Sequence, residues 1–315
     1  WLTHINNGDL SNDGIVSNDD ANDLFGLDLN YYQDLKIDAS KAVYNGNLAE
    51  QIWKSTVTGD KKKGYLYSYD DLNRLISANY RVYETNWTSS AENNRYSLNG
   101  ITYYANGNIN TLQQNGMLGT NSFGLIDNLS YNYNGNQLMK VDDAVSTTAS
   151  SPYDFENGNT TVDYSYDANG NLTSDKNKGF TAISYNTINQ IQQVTIGSNK
   201  VIYTYDASGV KLRKQVYTGA TLTSTIDYWY SVQYTNTVVD FISSKEGRVV
   251  NNTGTYKYEY FIRDNTGNVR VTFSANASSG LAEINQRDDY YPLGNTFNSV
   301  TPSKKNNYLF SSKEF

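Results

Sequence analysis

Apolar and aromatic residues alternate with polar ones along most of this chain. Val162, Tyr164 and Tyr166 lie two apart, which places them on one face of an extended strand. No run sustains a 3.6-residue apolar period, and the three prolines (Pro152, Pro292, Pro302) leave long strands uninterrupted. The pattern predicts an all-β chain of many hairpins.

The alternation is punctuated by a recurring phrase. Tyr164-Ser165-Tyr166-Asp167-Ala168-Asn169-Gly170-Asn171-Leu172 is echoed at Tyr203–Val210, with Tyr205, Asp206 and Gly209 in matching places, and at Tyr67–Leu75, with Tyr69 and Asp70. Worn copies stand at Tyr185–Ile191, Tyr131–Asn136 and Tyr103–Ile109. In each full copy an aromatic strand runs into Asp, whose carboxylate suits a turn. Gly, or Asn73 in its stead, stands where the turn needs a positive φ. Asp167 to Asn186 is 19 residues and Asn186 to Asp206 is 20, about one hairpin per unit. Repetition at this period predicts a long antiparallel meander, which must twist and curl to protect its edges.

Composition sharpens the picture. There are 29 Tyr against 10 Phe and 4 Trp, and only 38% hydrophobic residues. That is thin for one large dry core. It predicts broad sheets in which tyrosine lays its ring on a neighbour and keeps its hydroxyl in water. The net charge of −7 argues against phosphate binding, and the single basic run, Lys61-Lys62-Lys63, reads as a solvated loop, so no nucleic-acid partner is expected. Cysteine is absent, which excludes disulfides and thiolate metal sites. No apolar stretch approaches the ~18–20 residues of a membrane-spanning helix. The start at Trp1, without an initiator Met, is expected of a piece of a longer protein.

The phrase resembles the tyrosine–aspartate (YD) repeats of the Rhs family, which includes bacterial polymorphic toxins and toxin-complex shells and is related to animal teneurins. The resemblance covers residues 40 to 315. A second block, Tyr258 to Arg270, carries Asp264, Gly267 and Arg270 in the order of the family's Rhs-associated core. Tyr290-Tyr291-Pro292-Leu293-Gly294 and Tyr308–Glu314 are similar to its next two blocks. Tyr44-Asn45-Gly46-Asn47 and Leu24-Phe25-Gly26 are similar to the Bacteroidota branch. The resemblance implies a spiralling antiparallel sheet forming a shell or cocoon around a C-terminal effector. It also implies a secreted or cell-surface protein using type IX secretion, with secretion-machinery proteins and an immunity protein as further partners. It divides the chain into an Asn/Asp-rich segment at 1–40, a repeat array at 41–257 and a truncated core at 258–315.

Candidate chemistry is sparse. His4 is the sole histidine and has no cysteine to pair with, so it reads as a loop residue rather than a catalyst. Asp9, Ser11, Asp13, Gly14, Val16 and Asp20 match the oxygen spacing of an EF-hand-type calcium loop, though with Asp at the last position and no flanking helix; calcium is the one cofactor considered. Asp142-Asp143 and Asp288-Asp289 are doublets whose members point to opposite faces of a strand, so they suit solvated edges better than a glycosidase pair. No catalytic, cofactor or metal residue is assigned. The residues singled out are those of the repeat: Tyr69, Asp70, Tyr166, Asp167, Gly170, Tyr205, Asp206, Gly209, Asp264, Gly267 and Arg270.

Three functions follow as expectations. The first is a non-enzymatic shell segment enclosing or presenting a C-terminal effector. The second is a surface adhesion module binding carbohydrate or protein. The third is part of a self-cleaving core whose catalytic residues lie beyond Phe315, since the family cleaves near Asp-Pro motifs and this chain has no Asp-Pro.

Overall fold

The computed structural model describes residues 1–8, 10, 23–145, 154–158, 161–300 and 304–312. Among these there is no α-helix, only two 3-10 turns at Ala39–Lys41 and Phe310–Ser312. The rest of the regular structure is antiparallel strand, as the alternation predicts.

Nine strands form the first sheet in chain order: β1 (His4–Ile5), β2 (Phe25–Asn30), β3 (Glu50–Ser55), β4 (Lys63–Tyr69), β5 (Leu75–Val82), β6 (Leu98–Tyr103), β7 (Ile109–Gly119), β8 (Ser122–Asn134) and β9 (Gln137–Asp143). The second sheet has fourteen. It begins with β10 (Tyr164–Tyr166), β11 (Leu172–Asp175), β12 (Phe180–Tyr185), β13 (Ile191–Ile196), β14 (Asn199–Tyr205), β15 (Lys211–Thr218) and β16 (Thr221–Trp229). It continues with β17 (Val232–Thr235), β18 (Val238–Ser243), β19 (Gly247–Asn252), β20 (Thr255–Arg263), β21 (Val269–Ala275), β22 (Ala282–Tyr290) and β23 (Thr296–Val300). Spatial order equals sequence order in both, so each strand lies beside its predecessor in the chain.

The chain divides into two compact units. The first joins Trp1–Leu129, Ala144–Phe155 and Tyr260–Phe315. Its strands β2 and β4 are buried on both faces for most of their length. Close approach is built in by glycine: a Cβ on Gly26 would fall 1.8 Å from the Asn7 carbonyl oxygen. The core is aromatic. Phe297 stacks on Tyr96 at 4.1 Å and meets Tyr80 and Tyr291 edge-on at 5.6 and 5.1 Å. Tyr65 continues the cluster against Tyr80 at 5.7 Å and Trp53 at 5.5 Å.

The tyrosines of this unit depart from the expectation of wet hydroxyls. Tyr65 and Tyr67 are buried, and their hydroxyls donate to the Tyr96 carbonyl at 3.0 Å and the Gln51 Oε1 at 2.9 Å. Burial pushes both phenols well above their ordinary pKa. With few Phe and Leu to spare, the chain builds a dry core from tyrosine and satisfies each hydroxyl internally.

The second unit comprises Ser130–Asp143 and Glu156–Glu259. Its strands are mostly half-buried, with Ile183, Phe241 and Val250 among the few closed residues. Here tyrosine behaves as the composition suggests, half covered and half wet. A buried ion pair, Arg248 Nε to Glu259 Oε2 at 2.7 Å, and the buried Asp163 supply its enclosed polar contacts. The worn copy at Tyr131–Asn136 does not form the repeat turn. It joins β8 to β9 through two residues, Gly135 and Asn136, with Gly135 at φ 61°.

Phe297→Ala should destabilise the first unit by about 3–5 kcal/mol, because a nearly sealed ring leaves a cavity among other rings. Urea unfolding of the purified protein measures it; a loss under 1 kcal/mol would mean that the cluster is not packed as described.

Candidate functional site

The repeat residues act together as a turn and a tie. In the turn, Asp167 Oδ1 accepts from the backbone N–H groups of Asn169 and Asn171, both at 2.9 Å. Its own N–H donates to the Asn171 carbonyl, and Gly170 N–H returns to the Asp167 carbonyl. Asp70, Asn186, Asp206 and Asp264 make the same set of bonds. The fourth position has positive φ every time: Asn73 at 62°, Gly170 at 84°, Asn189 at 63°, Gly209 at 86° and Gly267 at 85°. Tyr104 and Tyr291 replace the acid in two further turns that keep the backbone bonds. The side-chain partner holds these half-buried carboxyls low: Arg74 for Asp70, Asn171 for Asp167, Ser208 for Asp206.

The tie is the tyrosine before the turn. Tyr69 Oη donates to the Leu48 carbonyl at 2.8 Å, Tyr103 to Leu75 at 2.7 Å, Tyr166 to Leu138 at 2.7 Å and Tyr185 to Leu172 at 2.9 Å. Tyr290 does the same to Val269 at 2.6 Å. Leu48, Leu75, Leu172 and Val269 directly follow an earlier turn and Leu138 is the second residue of β9, so at these five places a hydroxyl staples one hairpin to an earlier one. Burial pushes the Tyr69 phenol up to about 12. Turn tips are also joined by amides, as where Asn171 and Asn189 exchange hydrogen bonds at 2.6 and 3.0 Å. Tyr205 sits in the same place on β14, half-buried, with its ring 6.5 Å from Tyr203.

The strongest electrostatics lie elsewhere, within the first unit. Asp289, read from sequence as half of a solvated doublet, is 1% exposed. Its Oδ1 accepts from Trp53 Nε1 at 2.6 Å and from Arg270 at 3.0 Å, and its Oδ2 from Lys63 Nζ at 2.9 Å. Lys63, read as part of a solvated basic run, is 3% exposed and also pairs with Asp60, which in turn pairs with Arg287. Arg270 lies 3.8 Å from Asp264 and stands over the rings of Trp53, Phe25 and Tyr290 at 5.0–5.5 Å. Three cations (Lys63, Arg270, Arg287) and three carboxylates (Asp60, Asp264, Asp289) balance to zero, which is what lets them be buried. Burial disfavours the charged form of Asp289, but Lys63, Arg287 and Arg270 outweigh it and hold the carboxyl well below the usual range. Asp288, on the opposite face of β22, accepts from Gln286 Nε2 at 2.8 Å.

Both departures have one cause. A solvated reading takes each charge alone, whereas residues 226 and 227 positions apart neutralise one another here. Sequence reasoning found Asp264 and Arg270 but not Trp53, Asp60, Lys63, Arg287 or Asp289. The available signal was two acids in a strand that runs straight into the aromatic pair Tyr290-Tyr291. The remaining basic residues of the run are also occupied: Lys61 bridges Glu84 and Glu92 at 2.7 Å, and Lys62 covers the Tyr83 ring at 4.3 Å. Asp142 pairs with Lys140 on β9. His4 lies exposed on β1 beside Thr3. The calcium-type loop from Asp9 to Asp20 falls outside the described residues.

No family model and no curated protein matches the chain. Solved structures do. Over 92% of its length it is similar to 16% of a chain in the crystal structure of TcdB2-TccC3-TEV, at 15% identity and a TM-score of 0.53. The crystal structures of TcdB2-TccC3-Cdc42 and TcdB2-TccC3 match over the same share, at 15% and 17% identity, TM-scores of 0.42 and 0.35, and 18% of the matched chain each. The chain thus spans less than a fifth of the structures it matches. The first of these likenesses shows the fold: all-β, with large antiparallel sheets like those of the TcdB2-TccC3-TEV structure.

Asp289→Ala should cost the first unit about 3–5 kcal/mol, since it strands buried cations without their shared partner. Guanidinium unfolding reads it; a value near zero would show the cluster to be hydrated. A carboxyl lowered in the folded state contributes stability that is complete above its unfolded pKa of about 4 and fades only as pH falls toward the folded value. This contribution should therefore be constant from pH 8 to about 5. At the turns, Gly267→Asn should be tolerated and Gly267→Val should cost about 1–2 kcal/mol more, because nothing crowds the site except the left-handed backbone itself. Equal costs in thermal unfolding would contradict the turn geometry.

Proposed function

We propose that this chain is a non-enzymatic wall segment of an exported Rhs-type protein, which encloses or presents a C-terminal effector until delivery. The observation that supports the reading best is the pinning of Arg270, Arg287 and Asp289 to Trp53, Asp60 and Lys63. A meander stapled hairpin to hairpin, with the later blocks anchored on its first strands, suits a wall that must not fray at either end. The buried charges are consumed by one another, which leaves them to hold structure rather than to activate a nucleophile. The fold shared with the TcdB2-TccC3-TEV structure agrees with a shell.

The finer reading follows the repeat and block wording. The protein belongs to the Bacteroidota branch and leaves the cell by type IX secretion. Its cargo is the segment beyond the core blocks, and an immunity protein protects the producer.

A second reading, surface adhesion, draws on one feature of the second unit. Trp229 and Tyr230 project from the β16–β17 tip, 69% and 99% exposed, with Tyr230 held at φ 53° where a bulky residue is strained.

Limited proteolysis of the full-length secreted protein separates the readings. For a shell, the C-terminal segment should survive intact in the wild type and be degraded in Asp289→Ala. Rapid loss of that segment from the wild type, with cell or glycan binding that disappears in Trp229→Ala/Tyr230→Ala, would replace the shell by the adhesin.

A further inference from the structure

In the first unit, the segment after β2 frames a recess of about 380 Å³. That volume falls at the small end of the roughly 300–1,000 Å³ of ligand sites. Its rings are held by the protein. Trp1 packs against Tyr31 at 5.1 Å and rests on the backbone at Gly46, where an added Cβ would come within 3.0 Å of the indole. Tyr31 is fixed by its hydroxyl bond to the Leu2 carbonyl at 3.2 Å, and Tyr32 stacks on Tyr44 at 5.4 Å.

Asp28 is already engaged, by Gly8 N–H at 2.9 Å and Lys36 Nζ at 2.7 Å, and Asn30 donates to Glu50 at 2.8 Å. Gln33, Asp34 and His4 also line the recess, His4 with one ring nitrogen 3.1 Å from the Thr3 hydroxyl. Asp34 stands in left-handed backbone at φ 55°, exposed.

We propose that this recess binds a neutral saccharide. Aromatic faces take the C–H face of a pyranose, while Asp34 accepts, Lys36 donates, and Gln33 and His4 do either, which is the mixed set that ring hydroxyls require. An organic cation would meet the Lys36 ammonium at the rim, its attraction to Asp28 already spent. An anion would meet Asp34. A polyhydroxyl ligand suffers neither penalty. The inference stands on these residues alone and is independent of the shell reading.

A printed array of neutral and sialylated oligosaccharides, probed with the whole protein, tests it, followed by calorimetry with the strongest hit. The expected result is a neutral glycan binding one to one with a dissociation constant on the order of 0.1–1 mM. Tyr32→Ala and Asp34→Asn should each weaken it about tenfold or more. Both positions are exposed, so an unchanged thermal midpoint shows that the variants are folded. Silence across the array, affinity untouched by both variants, or preference for sialylated glycans or for tetramethylammonium over every neutral glycan would overturn the proposal.

Discussion

Everything in the first unit hangs on a neutral knot of six buried charges. Asp289 is its centre: one carboxylate accepts from an indole, an ammonium and a guanidinium brought from opposite ends of the sequence. Such a group is costly to bury alone and tolerable only when each neighbour is in place. The cluster is therefore selective more than it is adhesive. Register slips of β4 or β22 by one residue would turn Lys63 or Asp289 to the other face and leave an uncompensated charge. The aromatic rings around Phe297 provide the attraction; the charges decide which arrangement of rings is allowed.

Beyond the knot, the structure is built by a local rule applied repeatedly. An acid, an amide or a tyrosine opens each turn, and at five turns the tyrosine before it reaches back to a carbonyl just after an earlier turn. Each staple is worth about 0.5–1.5 kcal/mol, and none decides the fold alone. Their sum behaves as in other repeat proteins, where stability accumulates through nearest neighbours. This explains how a chain with 38% hydrophobic residues can hold a sheet in the second unit whose strands are mostly half-buried.

The strands and turns were legible because their causes are local. Tyr-x-Tyr-Asp with Gly or Asn three residues after the acid states the turn outright, and the structure forms it at Asp70, Asp167 and Asp206 alike. The tie was not legible, although both of its ends were in view. Tyr69 and Leu48 are 21 residues apart, Tyr166 and Leu138 28, Tyr185 and Leu172 13, so no fixed interval announces it. What stays constant is position relative to the turn. The knot was hidden for a stronger reason: Lys63 and Asp289 look solvated because the pairing that buries them together spans 226 residues. The recess at Tyr31 and Asp34 was invisible too, since its lining lies in an Asn- and Asp-rich head that reads as loop.

The central claim is that positions 63 and 289 share one buried interaction that anchors the later blocks on the first strands. A double-mutant cycle with Lys63→Met and Asp289→Asn, followed by equilibrium unfolding, measures it directly. The account predicts a coupling energy of about 1–3 kcal/mol between the two sites. Strict additivity, within about 0.5 kcal/mol, would show that the two side chains do not meet and would contradict it.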